Sequence, residues 1–249
     1  MEKHGVKTTR EHWESTHAVA PRMRLPSPLL VSTRDIQQLL RKHINPGMRV
    51  LEIGCAPGKQ LAYVSKVLGA KVSGIDYSTV GVRYTNELFS ALGIDGDIRC
   101  EDMFNSNFPS NSFDVVYSIG VVEHFDDPRH LIEIHTEFIC QGGTALIAIP
   151  NYGGIYGRLQ SHFDPENLSI HNIDMMQVDS FRRLAPRDGV SNTEAFSYGR
   201  FNPWLVSWER KMPAIVAKTL CMAGNFTAFL QPFNIKSISP MLVLKITRK

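Results

Sequence analysis

The sequence has few cysteines and no dense block of charge of either sign. Its four cysteines lie far apart and form no Cys-x-x-Cys pair, which argues against a zinc site or a disulfide framework. The 27 Lys and Arg residues and the 24 Asp and Glu residues are spread along the chain, so the net charge of +3 forms no basic patch. We therefore expect reduced thiols, no metal and no nucleic-acid partner.

The chain also lacks a long apolar run. An uncharged stretch near its end, residues 219–235, includes Asn225, Gln231, Pro232 and Asn234. It falls short of the roughly 20 predominantly apolar residues that cross a bilayer. The first residues, MEKHGVKTTREHWES, lack the apolar segment of a signal peptide. These absences predict a cytoplasmic protein without stable membrane insertion.

An alternation of strand and helix signals dominates the rest of the sequence. Strands are predicted at residues 49–53, 71–75, 98–100, 113–118, 145–149, 190–198 and 238–247. Helices are predicted at residues 58–68, 78–92, 129–140 and 174–184, after a first helix that begins with the cap signal Ser32 to Asp35. The alternation predicts a doubly wound α/β fold with a mostly parallel, seven-stranded, Rossmann-like sheet, in which the last strand could run antiparallel.

The first strand ends in a turn with the pattern Glu52-x-Gly54-x-x-x-Gly58, and Asp76 ends the second strand. In such sheets ligands bind beyond the carboxyl ends of the strands, where glycine lets the backbone approach closely. An aspartate about 20 residues after the turn can accept the hydroxyl protons of a ribose. An acid at position 52 would repel a pyrophosphate but suits an ammonium or sulfonium charge. The pattern therefore predicts a nucleoside-containing cofactor.

Four segments carry a family resemblance that covers roughly residues 50–150. VLEIGCAPG and VSGID resemble the first two motifs of class I S-adenosylmethionine-dependent methyltransferases, although Cys55-Ala56-Pro57 replaces a more glycine-rich loop. GDIRCEDMFN is similar to the third strand of that family, with Asp102 facing the adenine amino group and Met103 or Phe104 the ring. FDVVYSIGVVEHFDDP is similar to the fourth-strand motif.

The resemblance implies S-adenosyl-L-methionine as the cofactor. To the residues within the motifs we add Trp13, which could stack over the cofactor or pack in the core. The predicted cofactor-binding residues are Trp13, Glu52, Gly54, Cys55, Ala56, Gly58, Asp76, Tyr77, Asp102, Met103, Ser118, Ile119, Gly120 and His124.

The sequence predicts one domain and three segments that cover its ligands. Residues 1–34 form a polar arm that we expect to cover the cofactor, and residues 35–249 form the methyltransferase domain. Insertions at residues 151–173 and 201–230, after the fifth and sixth strands, are predicted to contain helices and to cap the substrate, because long connections in compact domains tend to be lids. Glycines at positions 153, 154 and 157 would give the first insertion freedom to move.

The predicted catalytic residues are His171, His124 and Asp164. A hydroxyl or ammonium acceptor must lose a proton, which a nearby histidine or carboxylate could take. The string SHFDPENLSIHN resembles an insertion in a subset of bacterial small-molecule methyltransferases, and we expect its His171 to face the acceptor. Alternatively, Asp164 to Asn167 caps a short helix and the histidines are solvated, while His124 packs near the cofactor.

These features predict methyl transfer to a small-molecule acceptor, on oxygen or nitrogen, by direct in-line displacement in a monomer or homodimer. The aromatic stretch FNPWLVSW, residues 201–208, is predicted to be one wall of the acceptor pocket, with a dimer contact or a membrane-surface foothold as alternatives. Two other functions stay open. The chain could be a non-catalytic S-adenosylmethionine-binding subunit or an NAD-dependent nucleotide-sugar oxidoreductase.

Overall fold

A computed structural model describes residues 5–232 and 234–249. Their strands form one seven-stranded sheet in the order β3-β2-β1-β4-β5-β7-β6. The strands are β1 Arg49–Ile53, β2 Lys71–Asp76, β3 Gly96–Cys100, β4 Phe113–Ile119, β5 Ile139–Pro150, β6 Val190–Tyr198 and β7 Met241–Arg248. Strands β1 to β5 pair in parallel, whereas β7 runs antiparallel to both β5 and β6. The predicted fold is confirmed, including an inner antiparallel final strand.

Helices cover both faces of the sheet. They are α1 Arg10–Thr16, α2 Val31–Arg41, α3 Lys59–Leu68, α4 Thr79–Leu92, α5 Pro128–Phe138, α6 Ile155–Phe163, α7 Pro165–Ser169, α8 Val178–Arg182 and α9 Ala214–Phe229. Because successive strand residues point to opposite faces, Val50 packs with the core of α2, α3 and α4, while Leu51 packs with α5 and α8. Burial on both faces agrees with the apolar residues Val50, Leu51 and Ile53 of β1.

Two predicted helices differ from those in the structure. Residues 174–184 form a 3₁₀ turn, Ile173–Met175, and the separate helix α8, because Met175 and Met176 turn into the core between them. Helix α2 has no side-chain cap, and it begins at Val31. Asp35, predicted as part of its cap signal, is buried and accepts a hydrogen bond from the backbone N–H of Arg200 at 2.6 Å.

The N-terminal arm is docked on the main domain by polar contacts. Glu14 on α1 accepts hydrogen bonds from the backbone N–H groups of Thr79 (2.8 Å) and Val80 (3.1 Å), so it caps α4 from outside that helix. The Lys7 N–H donates to the carbonyl oxygen of His124 at 2.8 Å. The arm is therefore attached after β2 and after β4, the two strands on either side of β1.

The two insertions add the remaining helices. The first contains α6 and α7, and the second contains α9. In the part of the chain that the structure describes, no helix is both long and apolar enough to cross a membrane.

Candidate functional site

A cavity of ≈ 780 Å³ lies at the carboxyl ends of β1, β2 and β4. This is the edge where glycine turns and strand-end acids are brought together in a doubly wound sheet. The predicted cofactor residues that line it are Trp13, Gly54, Ala56, Asp76, Tyr77, Asp102, Met103, Ile119, Gly120 and His124. The structure therefore gathers residues from the arm and from all four motifs around one space, which we call the first cavity.

Asp76 has two structural contacts at this cavity. Its carboxylate oxygens accept hydrogen bonds from the backbone N–H groups of Ala56 (3.0 Å) and Ser78 (2.9 Å). Burial raises the pKa of Asp76, and these two N–H donors oppose that rise. The side chain thus fixes the turn after β1 against the end of β2. Its proposed contact with a ribose is additional to this structural role.

Two predicted cofactor residues in the turn after β1 do not line the cavity. Cys55 is buried, and its thiol packs so closely against Gly74 that a Cβ on that glycine would lie 2.7 Å from the sulfur. Gly58, at φ +78°, packs under Thr85 of α4, where a Cβ would lie 2.5 Å from the threonine methyl carbon. Cys55 therefore packs the turn against β2, and Gly58 packs it against α4, without contacting the cavity.

Glu52 and Ser118 also point elsewhere. Ser118 on β4 is buried, and its hydroxyl lies 2.9 Å from Nε2 of His135. Because Nδ1 of His135 must donate to the carbonyl oxygen of Leu131 (2.6 Å), Nε2 accepts from Ser118. Burial raises the pKa of Glu52 to about 8, and Oε2 of this residue has no hydrogen-bond partner in the described residues. The sequence predicts both side chains at the cofactor, but Ser118 contacts His135 of α5, and neither residue lines the cavity.

Sequence reasoning missed several lining residues. Val6, Thr8 and His17 come from the arm, where only Trp13 was identified. Trp13 donates its indole N–H to the Thr8 hydroxyl (3.0 Å) and packs edge-on against His124, with ring centroids 5.1 Å apart. The other lining residues that were not selected lie within the four motif segments: Ile53, Ile75, Glu101, Phe104, Val121 and Phe125. Of these, only Phe104 is predicted to contact the cofactor, as an alternative to Met103, although the position of all six in the motifs was a usable signal.

A second cavity, of ≈ 1080 Å³, adjoins the first. The two cavities share Trp13, Ile119, Gly120 and His124. The wall that belongs to the second cavity alone includes Tyr152, Asn167 and His171 of the first insertion and Asn202 and Leu205 of the second. Both insertions thus contribute to a space that opens onto the first cavity.

Three polar side chains converge where the cavities meet. One ligating atom from each of Glu123, His124 and His171 lies within 4.8 Å of the other two. Nδ1 of His124 lies 2.9 Å from the carbonyl oxygen of Ile170, and Nδ1 of His171 lies 2.7 Å from that of Asn167. Because a carbonyl oxygen only accepts, both Nδ1 atoms carry the proton, and the Nε2 lone pairs remain available.

Burial keeps this group of three uncharged near neutral pH. It lowers the pKa of His124 to about 4, with His171 adding to the effect, and it also lowers the pKa of His171. Burial raises the pKa of Glu123 to about 8. Oε2 of Glu123 has no hydrogen-bond partner in the described part of the chain. The site therefore offers two imidazole lone pairs and one carboxyl group without a compensating cation.

The structure places the other predicted functional residues away from this group. Asp164 is buried, accepts from the N–H of Asn167 (3.1 Å) and pairs with Arg210 (3.2 Å), so it caps α7 as the alternative interpretation holds. His162 is exposed, whereas His171 is not. Trp204 is 45% exposed and lines neither cavity.

Two glycines of the first insertion have a packing role. A Cβ on Gly153 would lie 2.0 Å from the carbonyl oxygen of Met176, and a Cβ on Gly157 would lie 1.9 Å from that of Tyr152. Close backbone contact thus explains why glycine occupies these two positions, and the predicted hinge movement is not needed to explain it. At Gly154 a Cβ would meet nothing within 4 Å.

Comparison with known proteins agrees with this architecture. Residues 51–147 match the family model of a methyltransferase domain. Phosphoethanolamine N-methyltransferase 1 of Arabidopsis thaliana is 29% identical over 43% of this chain and 22% of its own. The ubiquinone biosynthesis O-methyltransferase of Brucella anthropi is 31% identical over 42% of each chain. These matches cover less than half of the length of either relative.

Among solved structures, phosphoethanolamine N-methyltransferase 2 of Haemonchus contortus, with phosphomonomethylethanolamine and S-adenosylhomocysteine, is similar in fold. It superposes with a TM-score of 0.60 at 18% identity, over 87% of this chain and 52% of its own. At this identity the likeness concerns the fold alone. The domain match over residues 51–147 and the likeness in fold both agree with the predicted resemblance to class I S-adenosylmethionine-dependent methyltransferases.

Proposed function

We propose that this chain, whose residues 51–147 form a class I S-adenosylmethionine-dependent methyltransferase domain, methylates a small molecule held in the second cavity. One observation carries the proposal. The two cavities share the wall formed by Trp13, Ile119, Gly120 and His124, so ligands in both would meet there. Residues of the first cavity would hold S-adenosylmethionine, whose sulfonium would supply the methyl group.

The first cavity suits a nucleoside with a charged side chain. Asp76 presents a buried carboxylate at the end of β2, where a ribose would bind, and Asp102 and Met103 lie where the adenine would bind. Gly54 and Gly120, with φ near +73°, leave the backbone at the ends of β1 and β4 without Cβ atoms. These residues would bind and orient the cofactor, and most of the binding energy would come from this half of the site.

The arm and the first insertion would cover the reacting atoms. Trp13 lies in the shared wall, and α1 is attached through Glu14 to the start of α4. The N–H of Asn172 donates to the carbonyl oxygen of Glu123 at 2.7 Å, which attaches the insertion to the turn after β4. Excluding water and holding the acceptor in line are the main contributions of a protein to a displacement of this kind, worth roughly 7 to 11 kcal/mol.

The group formed by Glu123, His124 and His171 favours an acceptor that attacks through oxygen or nitrogen. The Nε2 lone pair of His171 lies in the wall of the second cavity and is available to a hydroxyl or ammonium proton. Two imidazoles and a carboxyl group would contribute less to methylation of a carbon or sulfur atom. We therefore propose O- or N-methylation, with His171 as the residue that contacts the acceptor.

Two measurements test this function. Calorimetry of the full chain with S-adenosylmethionine, S-adenosylhomocysteine and NADH should show binding of the first two only. Incubation with methyl-labelled S-adenosylmethionine and a small-molecule cell extract should then give a labelled product on oxygen or nitrogen. Binding of NADH alone would favour the oxidoreductase. Binding of S-adenosylmethionine without any labelled product would favour a non-catalytic subunit.

A further inference from the structure

The contacts around Glu123, His124 and His171 fit a ligand set better than three independent side chains. Each histidine donates Nδ1–H to a main-chain carbonyl oxygen, that of Ile170 or Asn167. This arrangement is the usual one for metal-bound histidines, because it fixes the ring orientation and leaves Nε2 as the donor atom. Both rings are thus held in place by backbone atoms of the first insertion.

The carboxyl group of Glu123 supplies the second, independent observation. Its side chain is 1% exposed, and Oε2 has no hydrogen-bond partner among residues 5–232 and 234–249. A buried carboxyl oxygen without a hydrogen-bond partner is unfavourable, because its lost contact with water is not replaced. Its Oε1 lies 3.9 Å from Nε2 of His124, so the group is directed at the histidines and has room for something between them.

From this juxtaposition we propose that Glu123, His124 and His171 bind a divalent transition-metal ion where the two cavities meet. Two neutral imidazoles and one carboxylate suit Zn²⁺, Fe²⁺, Co²⁺ or Mn²⁺. Bonds of about 2.1 Å place tetrahedral ligand atoms about 3.4 Å apart. The three ligating atoms, now within 4.8 Å of one another, would reach that spacing by small side-chain rotations. Three protein ligands leave a further coordination position for a ligand in the second cavity.

The class of that ligand follows from the ion. Glu123, His124 and His171 all line the second cavity, so a hydroxyl, carboxylate or amine of the acceptor would reach the open position from there. With the ion bound, Nε2 of His171 would be a ligand, and the ion instead of the imidazole would contact the acceptor. This part rests on the proposed function, whereas metal binding does not. Our expectation of no metal came from cysteine spacing, which cannot reveal ligands that the fold assembles from residues 123, 124 and 171.

The test uses the full chain, freed of metal by dialysis against a chelator and titrated with Co²⁺ alone. We expect one ion per chain, a visible absorption band from ligation by nitrogen and oxygen, and displacement of that band by Zn²⁺. Substitutions E123Q and H171A should each weaken binding by about 100-fold or more, since even changes beyond the first ligands cost 10- to 100-fold. The exposed His162 in the same insertion provides the control, and H162A should bind as the wild type does.

Two results would overturn the proposal. One is the lack of one-to-one Co²⁺ binding by the wild type, which requires no variant to fold. The other is binding that is unchanged in both E123Q and H171A, as expected for a surface histidine site. Neither cofactor nor acceptor is present in this experiment. A chain that binds Co²⁺ but transfers no methyl group would therefore refute the proposed function and leave the metal site intact.

Discussion

The two cavities adjoin each other but are built in different ways. The first is formed mainly at the carboxyl ends of parallel strands, where sheet geometry fixes the positions of Gly54, Asp76 and Gly120. The wall that the second adds comes largely from insertions, and the orientation of its His171 depends on one hydrogen bond to a main-chain carbonyl. The position of the first cavity thus follows from the sheet, whereas the second cavity depends on the sequence of the insertions.

This difference predicts how each half responds to substitution. Changes in the first cavity should alter cofactor affinity, because its residues hold the backbone around the ligand. Changes in the second cavity should alter turnover of the acceptor and leave cofactor affinity unchanged. A substitution that affected both equally would indicate one cooperative site.

The largest effect is expected from Gly54→Val. The backbone at position 54 has φ +73°, and a Cβ there would lie 2.5 Å from a methyl carbon of Val121 in the first cavity. The clash and the strain of a β-branched residue at this φ should reduce S-adenosylhomocysteine affinity by more than about 100-fold. Calorimetry measures the affinity, and circular dichroism verifies folding.

Gly142→Val is the matched control for this substitution. Gly142 has nearly the same φ, +75°, but nothing lies within 4 Å of its Cβ position. The control therefore imposes a similar backbone strain outside the cavity and should keep its affinity for S-adenosylhomocysteine. Normal binding by a folded Gly54→Val protein would show that the turn after β1 is wrongly assigned to the cofactor site.

The next largest effect is expected from His171→Ala, which examines the second cavity. Whether Nε2 of His171 takes a proton or holds an ion, its removal should lower kcat by about 10²- to 10⁴-fold. S-adenosylhomocysteine affinity should stay at the wild-type value, because His171 does not line the first cavity. A raised KM with unchanged kcat would reduce the residue to a binding contact. Both constants are measured by steady-state transfer of labelled methyl from S-adenosylmethionine to the acceptor that the extract experiment identifies.

The sequence predicted the first cavity far better than the second. Strand β1 runs from Arg49 to Ile53, the predicted span, because its burial on both faces leaves a strong apolar signal. Asp164 and His171 lie in one insertion, and both are predicted to be catalytic, with His171 preferred. Only the fold shows that Asp164 pairs with Arg210, whereas a hydrogen bond to Asn167 turns His171 toward His124.

Within the first cavity, the motifs locate the strand ends but not the contacts of each side chain. Ser118 and Ile119 are adjacent in β4 and point to opposite faces of the sheet. Only Ile119 lines the cavity, whereas the hydroxyl of Ser118 contacts His135 of α5. A list of consecutive motif residues therefore includes some whose side chains are held elsewhere. The arm residues Val6, Thr8 and His17 carry no periodic signal and required the tertiary structure.

Asp76→Ala should have a smaller effect on cofactor affinity than Gly54→Val. It removes a charged acceptor, which costs about 1.5 to 3 kcal/mol, or roughly 10- to 150-fold in affinity. It also frees the N–H groups of Ala56 and Ser78, so part of the loss reflects a loosened turn. The exposed Asp97 on β3 provides a control, and Asp97→Ala should bind S-adenosylhomocysteine normally. Unchanged affinity in Asp76→Ala would remove the residue from the cofactor site.

The smallest effect is expected from a substitution of Glu14, the α1 residue that contacts the start of α4. Hydrogen bonds, chiefly from the Thr79 hydroxyl, lower the pKa of Glu14 to about 2 from its ordinary value of 4.5. Because the folded-state pKa is the lower one, the ionised carboxylate stabilises the folded protein above about pH 4.5. This contribution declines as the pH falls toward 2.

Glu14→Gln should therefore lower the melting temperature at pH 7, with a difference from wild type that shrinks below about pH 4.5. Glu11→Gln is the control, because Glu11 lies on the same helix and is exposed. Its melting temperature should follow the wild type more closely across the same range. Thermal melts in steps from pH 7 to pH 3 measure both variants. A constant difference in melting temperature at all pH values would mean that Glu14 acts through its shape and not through its charge. The arm would then be held mainly by uncharged contacts, such as that between the Lys7 N–H and the carbonyl oxygen of His124.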